Sequence, residues 1–276
     1  MEYAIVDTQY KERKIASVKD WVKSKIESFI EYRNPLAKGM SYEIVPKKKC
    51  KYDIDRKTLK TIAIIPARGN SKRLPNKNIK LLGNIPLLVH SINYAKQYEF
   101  IDAIYVTTDD ENIKNIALQH GALVIDRPCN LSGDLEPTVS ALKHVLESIK
   151  EQVENVVLLQ PTNPLRPKHL LIEAIELFKK RGCDSLFTVS RNHQKFGTIK
   201  NDEFKPFNYK IGQRSQDLEP LYFENGLLYI TKSKHILNNE IITSNVFPLI
   251  VNHPFTSIDI DSQVDFDLAE FILNNY

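Results

Sequence analysis

From Ile62 onward the chain alternates two kinds of hydrophobic pattern. The runs "TIAII", "AIYVTT", "ALVI", "NVVLLQ" and "DSLFTVS" are short, apolar and rich in β-branched residues, which predicts buried strands. Between them lie stretches with apolar residues three and four apart. These are Pro86 to about Tyr98, "DDENIKNIALQH", "EPTVSALKHVLESIKEQ" and "PKHLLIEAIELFKKR", and that spacing predicts amphipathic helices. Pro86 suits the first turn of its helix, and Gly121 and Gly182 are placed to stop two others. Strands alternating with helices predict βαβ units around a parallel sheet, an α/β fold.

The rhythm fails after Ser190. The following stretch, "RNHQKFGTIKNDEFKPFNYKIGQRSQDLEPLYFENG", is polar, aromatic and irregular, and reads as an excursion inserted into the sheet's connectivity. "LLYIT" and "TSIDID" return to strand. "SQVDFDLAEFILNN" is a closing helix, with Ser262 and Asp265 at capping-box spacing. Residues 1–60 differ from the rest. Ile15, Val18, Trp21, Val22, Ile26, Phe29 and Ile30 recur at helical spacing, "RNPLAKGM" breaks that pattern, and "VPKKKCKYDIDRKTLK" reads as a solvated linker or strand-edge segment. The chain thus divides into a helical extension with a linker, 1–60, and a domain spanning 61–276.

Composition narrows this picture only a little. With 276 residues and 42% apolar content the chain can bury one ordinary α/β core. The net charge of +4 is too mild to argue for nucleic acid, and the lysine-rich linker has little aromatic interleaving. No run of 18 apolar residues exists, so no membrane span is expected, and the N-terminus lacks the apolar core of a secretory signal. Cys50, Cys129 and Cys183 show neither a disulfide framework nor metal-ligand spacing, which suits a reducing cytoplasm.

The unusual polar residues cluster just after predicted strands. The first strand runs into Arg68, Lys72, Arg73 and Lys77, with Gly69, Asn70 and Ser71 among them. A loop of cations and backbone N–H groups leaving a strand suits a polyphosphate; otherwise it is a solvated basic loop. It is neither Gly-x-Gly-x-x-Gly nor a Walker A loop, so dinucleotide oxidoreductases and P-loop kinases are disfavoured. In open parallel sheets the strands' carboxyl ends share one edge, so these loops are expected to line one cleft. A second signal is "SIDIDSQVDFDLAE". Asp259 and Asp261, two apart in a predicted strand, would point the same way, and no cation lies near them in sequence. Such a pair suits Mg²⁺, whose remaining positions substrate phosphates would fill; otherwise it is a polar strand end. Together the two signals read as phosphoryl or nucleotidyl transfer.

Six segments, "IPARGNSKRLPNKN", "VTTDDENI", "RPCNLSGDLEPT", "LLQPTNPLR", "QRSQDLEPLYFENGLLYI" and "SIDIDSQVDFDLAE", occur in the order found in CMP-sialic acid synthetases, the N-acylneuraminate cytidylyltransferases. The resemblance covers about Thr61 to Asn275. It implies a Rossmann-like three-layer nucleotidyltransferase fold with a mainly parallel sheet, and transfer of CMP from CTP to a 2-keto-3-deoxy acid sugar with release of pyrophosphate. By similarity, Arg68, Ser71 and Lys77 would hold the triphosphate and Asn78 would lie near the nucleotide. Arg127 and Thr138 would sit at the cytidine and Gln160 near the sugar. Asp259 and Asp261 match the Mg²⁺ carboxylates, and Arg214 and Asn225 match positions facing the sugar or a dimer partner's site. The resemblance also implies a homodimer in which the excursion packs on the neighbouring subunit.

This chain departs from the family where many relatives carry His-Pro-aromatic-Lys after the fifth strand. Here it reads His193-Gln194-Lys195-Phe196-Gly197, which leaves Lys195 as the candidate for the sugar carboxylate. Glu224 stands where some relatives carry a cation. In the implied reaction the anomeric hydroxyl attacks the α-phosphorus in line, and Arg68 and Lys77 meet the charge growing on the leaving phosphate; with Asp261 they form the expected catalytic set. The rival acid sugar is the eight-carbon Kdo type, whose enzymes tend to read Pro-Gly-Lys-Pro where this chain has Pro75-Asn76-Lys77-Asn78. The rival class is a non-catalytic nucleotide-binding homologue acting as an interaction module.

Overall fold

A computed structural model describes residues 3–7, 42–46, 61–69, 71–256 and 258–275. The chain divides into two compact units, Met1–Ile54 and Asp55–Tyr276. In the first, strands β1 (Tyr3–Asp7) and β2 (Tyr42–Pro46) pair antiparallel. The amphipathic helix expected between Ile15 and Ile30, and the lysine-rich stretch after Pro46, fall outside the described residues.

The second unit is built on a seven-stranded sheet. In chain order the described strands are β3 (Thr61–Pro66), β4 (Leu81–Leu82), β5 (Ile85–Pro86), β6 (Ala103–Thr108), β7 (Leu123–Asp126), β8 (Asn155–Leu158), β9 (Ser185–Asn192), β10 (Gly197–Lys200), β11 (Glu203–Pro206), β12 (Leu221–Lys232) and β13 (Val246–Ile250). The helices are α1 (Leu87–Ala95), α2 (Glu111–Gln119), α3 (Thr138–Ser148), α4 (Leu170–Arg181), α5 (Ser233–Leu237) and α6 (Gln263–Asn275). The sheet order is β13-β9-β12-β8-β3-β6-β7. Its ladders are parallel except where β12 runs antiparallel between β8 and β9. The expected α/β architecture is therefore present, with the five strands read from the apolar runs all in this sheet.

Strand alternation assigns the layers. Ile62 and Ile64 of β3, with Val156 and Leu158 of β8, pack against Leu142 and Val145 of α3. A second cluster forms where α6 packs Phe266, Ala269 and Ile272 onto Leu74, Leu82 and Leu87. Local capping follows the sequence. Asp110 accepts from the Ile113 N–H at the start of α2, and the Asp265 carboxylate accepts from the Ser262 N–H at 2.8 Å and hydroxyl at 2.7 Å at the start of α6.

Several elements differ from expectation. α1 begins after Pro86, which occupies the cap rather than the first turn, and it stops at Ala95. β13 carries Pro248, a residue that argues against a strand; it is tolerated because β13 is the sheet's edge and pairs on one side only. The excursion contains a hairpin, β10–β11, closed by Asn201 and Asp202, both at positive φ as a tight two-residue turn requires. The stretch Ile258–Asp261, expected as a strand, forms none and joins no ladder. Its backbone groups are taken elsewhere: the Ile260 N–H donates to the Thr162 carbonyl at 2.8 Å, and side chains of Asn163 and Lys77 donate to the Ile258 and Ile260 carbonyls. The expected alternation survives without a sheet, because Ile258 and Ile260 are buried in the α6 cluster and the two aspartates lie between and after them.

Candidate active site

After β3 the chain adds β6 and β7 on one side, then crosses to place β8 on the other. The carboxyl ends of β3 and β8 thus flank a topological switch point, where α/β sheets leave a crevice. A cleft of about 530 Å³ lies there, lined by the loop after β3, the loop after β8 and the segment leading into α3. The loop after β3 is held close to the one after β6. The Gly69 N–H donates to Asp109 Oδ1 at 2.9 Å, and a Cβ at Gly69 would fall 2.8 Å from that of Asp110, so no larger residue fits. The Asn78 amide donates to the Arg68 carbonyl at 2.9 Å, bracing the loop from behind.

The cations of this loop find two acidic partners. Arg68 bonds Asp134 at 2.7 Å across the cleft mouth, and Lys72 reaches the same carboxylate at 2.5 Å. These bonds hold the Asp134 carboxyl below the usual carboxylate range. Asp134 therefore occupies two cations of the loop expected to meet a phosphate. Exposed, solvent-screened pairs of this kind are weak, so Asp134→Asn is expected to bind CTP only modestly tighter, by up to about 5-fold, in calorimetric titration. Weaker binding would mean that Asp134 supports the nucleotide instead of competing with it.

The second acidic partner is Asp261. Lys77, only 8% exposed, donates to Asp261 Oδ1 at 3.0 Å and to the Ile260 carbonyl at 2.7 Å. Arg73 reaches Asp261 Oδ2 at 3.1 Å. The carboxylate pair that has no cation near it in sequence thus receives two from residues almost 190 positions away. Asp259 is exposed as a residue, yet partial burial of its carboxyl pushes the pKa up; a Thr162 hydrogen bond opposes this and the Asp261 charge adds to it. Carboxylate oxygens are hard donors of the kind a divalent cation takes, but Lys77 and Arg73 already engage both oxygens of Asp261, so a metal there would have to share or displace those cations. Among the described residues no cluster of three or more His, Cys, Asp or Glu could hold a metal alone, so substrate phosphate and water would have to complete its shell.

Eight of the expected residues line the cleft: Arg68, Ser71, Lys77, Asn78, Arg127, Thr138, Gln160 and Asp261. Buried Arg127 donates twice to Thr107, at 2.6 Å to its carbonyl and 3.3 Å to its hydroxyl, and burial lowers its guanidinium pKa. Asp259, Lys195, Arg214 and Asn225 are not among the residues that line this cleft. Lys195 donates to the Gln213 carbonyl and lies over the Tyr209 ring, and Arg214 pairs with Asp217 at 2.7 Å. Asn225 is buried within the fold. Its amide donates to Ser190 at 3.0 Å and accepts from Thr188 and from the Leu227 N–H.

A family model described as Cytidylyltransferase matches residues 62–270, from the first strand of the sheet to the closing helix. The chain belongs to the cytidylyltransferase family. The CMP-N,N'-diacetyllegionaminic acid synthase of Legionella pneumophila is 34% identical over 229 residues, 78% of this chain and 97% of its own length. The pseudaminic acid cytidylyltransferase of Campylobacter jejuni is 33% identical over 226 residues, 78% of this chain and 96% of its own. An N-acylneuraminate cytidylyltransferase of Streptococcus agalactiae is 34% identical, but this chain spans only about half of it, 52%. Among solved structures, CMP:2-keto-3-deoxy-manno-octonic acid synthetase complexed with CTP superposes with a TM-score of 0.59 at 14% identity, covering 78% of this chain and 98% of that one. At that identity it speaks for the fold alone.

In this cytidylyltransferase, the sequence assigns no role to Asp134, Asn163 or Arg166, and it places Arg73 in the basic loop without its Asp261 partner. Arg73 and Asp134 lie inside two of the six segments, but their contacts cross from one loop to another. Asn163 and Arg166 lie inside "LLQPTNPLR", where only Gln160 was assigned a role. Their position just after a predicted strand, where the other polar clusters fall, was the available signal for both.

Proposed function

We propose that this chain transfers CMP from CTP to the anomeric hydroxyl of a nine-carbon 2-keto-3-deoxy acid sugar, releasing pyrophosphate. The observation that carries this reading is the cleft at the β3–β8 switch point, with a wall of cations facing the Asp259–Asp261 segment. The named relatives act on sugars of this class. In the reaction the anomeric oxygen forms a bond to the α-phosphorus as the bond to the β-phosphate oxygen breaks. Arg68, released from Asp134, and Lys77 are placed to meet the charge that grows on the departing pyrophosphate. Ser71 and Asn78 extend that wall, Arg127 and Thr138 border the nucleoside end, and Gln160 faces the sugar. Asp259 and Asp261 would hold Mg²⁺, which when bound would neutralise phosphate charge and lower the pKa of a coordinated hydroxyl. Attack is direct, so no side chain is assigned as a nucleophile.

A homodimer completes this reading. Ile199, Phe204, Phe207 and Ile211 of the excursion are exposed, Ile211 by 85%. An apolar group of this size on one arm suits a second copy of the chain. Lys195 and Arg214 on the same arm would then serve the neighbour's cleft. A CTP-consuming enzyme of this kind would work in the cytoplasm; no helix among the described residues is long and apolar enough to cross a membrane.

The test is pyrophosphate release from CTP with Mg²⁺, against N-acetylneuraminate, N,N'-diacetyllegionaminate, pseudaminate and Kdo. Turnover of at least one nine-carbon acid well above Kdo is expected, by a protein that sediments as a dimer. Preference for Kdo would favour the eight-carbon reading. Absence of turnover with all four, despite CTP binding, would favour a non-catalytic role.

A further inference from the structure

Arg166 poses an energetic question. It is 8% exposed, and no carboxylate among the described residues pairs with it. Its guanidinium instead donates to three uncharged acceptors on three elements: the Leu227 carbonyl in β12 at 2.7 Å, the Gln160 carbonyl after β8 at 2.6 Å and the Ser91 hydroxyl in α1 at 3.0 Å. The Tyr94 ring lies 5.6 Å from its centre. Burial pulls the guanidinium pKa down to about 10, a sign of what this placement costs. An apolar residue would avoid that cost but leave these acceptors unpaired. What only arginine offers is a rigid planar fork that holds three acceptors at fixed mutual positions.

Asn163 repeats the pattern. It is almost fully buried, and its amide nitrogen donates to two carbonyls at 3.1 Å each, those of Asn225 in β12 and Ile258 next to Asp259. Both of its N–H groups are therefore spent on backbone. Between these two anchors β12 breaks register, with several residues from Asn225 to Leu228 bulging opposite one residue of β9. Gly226 sits at the bulge with φ of +72°. A Cβ there would fall 2.8 Å from Gln160 Oε1 and 2.7 Å from Asn163 Oδ1. The bulge backbone thus presses directly on the Gln160 carboxamide, which lines the cleft.

We infer that Asn163 and Arg166 are positioning residues for the sugar-side wall: they clamp the Gly226 bulge against Gln160 and tie both to the Asp259 segment. This rests on the proposed function, in which Gln160 faces the acid sugar. The clamp sets where the Gln160 amide stands relative to the acidic segment, and so which hydroxyl or N-acyl groups of the sugar it can meet. Its one hydrogen bond toward the CTP side goes to the Ile258 carbonyl of the acidic segment, while the loop after β3 and Arg127 are held by Asp109, Asn78 and Thr107 contacts.

The two substrates should therefore respond separately. Arg166→Lys keeps the charge but loses the fork. Gly226→Ala keeps both donors but pushes a methyl group into the same gap. In the full-length chain each variant is expected to bind CTP, measured by calorimetry without sugar, within 3-fold of wild type. Each should lose at least about 10-fold in kcat/KM for the panel sugar that wild type uses best, largely through KM. A merely structural role would lower melting temperature and weaken both substrates together, and that outcome overturns the inference. So does unchanged sugar kinetics in either folded variant. If Arg166→Lys does not fold, Gly226→Ala carries the test. A wild type inactive on every sugar would overturn the functional reading and this inference with it; an active wild type with unaffected variants would overturn the inference alone.

Discussion

Lys77→Met is expected to lose both turnover and stability, and to lose them for one structural reason. The ammonium group has three N–H donors, of which two are spent on Asp261 and the Ile260 carbonyl. The third is the one available to a phosphate oxygen. Removing the group takes a donor away from developing phosphate charge, an effect of roughly 10²–10³ in turnover for comparable donors. It also leaves a buried carbonyl unpaired, and a charge-assisted bond of this type contributes about 1.5–3 kcal/mol. The Asp261 end is about a third exposed and keeps Arg73, so the loss should fall nearer the lower figure. Steady-state kinetics with CTP and sugar, alongside urea denaturation, would check both parts. Normal turnover in a destabilised protein would make Lys77 a purely structural strut.

Asp261→Asn should be the complementary case. Amide and carboxylate are nearly the same size, and the start of α6 is capped by Ser262 and Asp265 without Asp261's side chain. The fold should therefore be kept, with some loss of stability because Lys77 and Arg73 lose their counter-charge, while turnover falls by roughly 10²–10³, the scale seen when one charge-stabilising group is removed. The variant should need more Mg²⁺ than wild type and recover partly when it is raised, because Asp259 and the triphosphate would remain as ligands. Full activity of EDTA-treated wild type would remove the metal from the scheme. Because Lys77 and Asp261 are in contact, the double variant should be less impaired than the product of the single effects; additive losses would mean that the pair does not act as a unit.

The main divisions of the fold were legible because they rest on local physics. A strand buried on both faces must be a short apolar run, and a helix packed on a sheet must repeat at three and four residues. Thr61–Pro66, Ala103–Thr108 and Leu170–Arg181 could hardly be read otherwise. The basic loop was legible for a related reason, since charge at the end of a core strand has no packing explanation; the acidic segment was legible only as alternation, because it lies in no strand. The turn at Asn201–Asp202 was equally local, but the irregular composition around it hid the hairpin.

What tertiary structure alone decided is which of these pieces meet. Nothing near Asp261 in sequence announces Lys77 or Arg73, because the contact is made by packing α6 against the loop after β3. Nothing near Ile258–Asp261 says that its backbone bonds go to Asn163, Thr162 and Lys77 instead of to a neighbouring strand. Pro248 lies in a strand because that strand is the edge, a fact set by sheet order and not by residue type. Arg166 and Asn163 acquire their roles only when the β12 bulge comes against the loop after β8. Burial patterns are written along the chain at the period of each element. Hydrogen-bond and charge partners are chosen by topology, which in this protein brings the carboxyl ends of strands nearly a hundred residues apart to a single cleft.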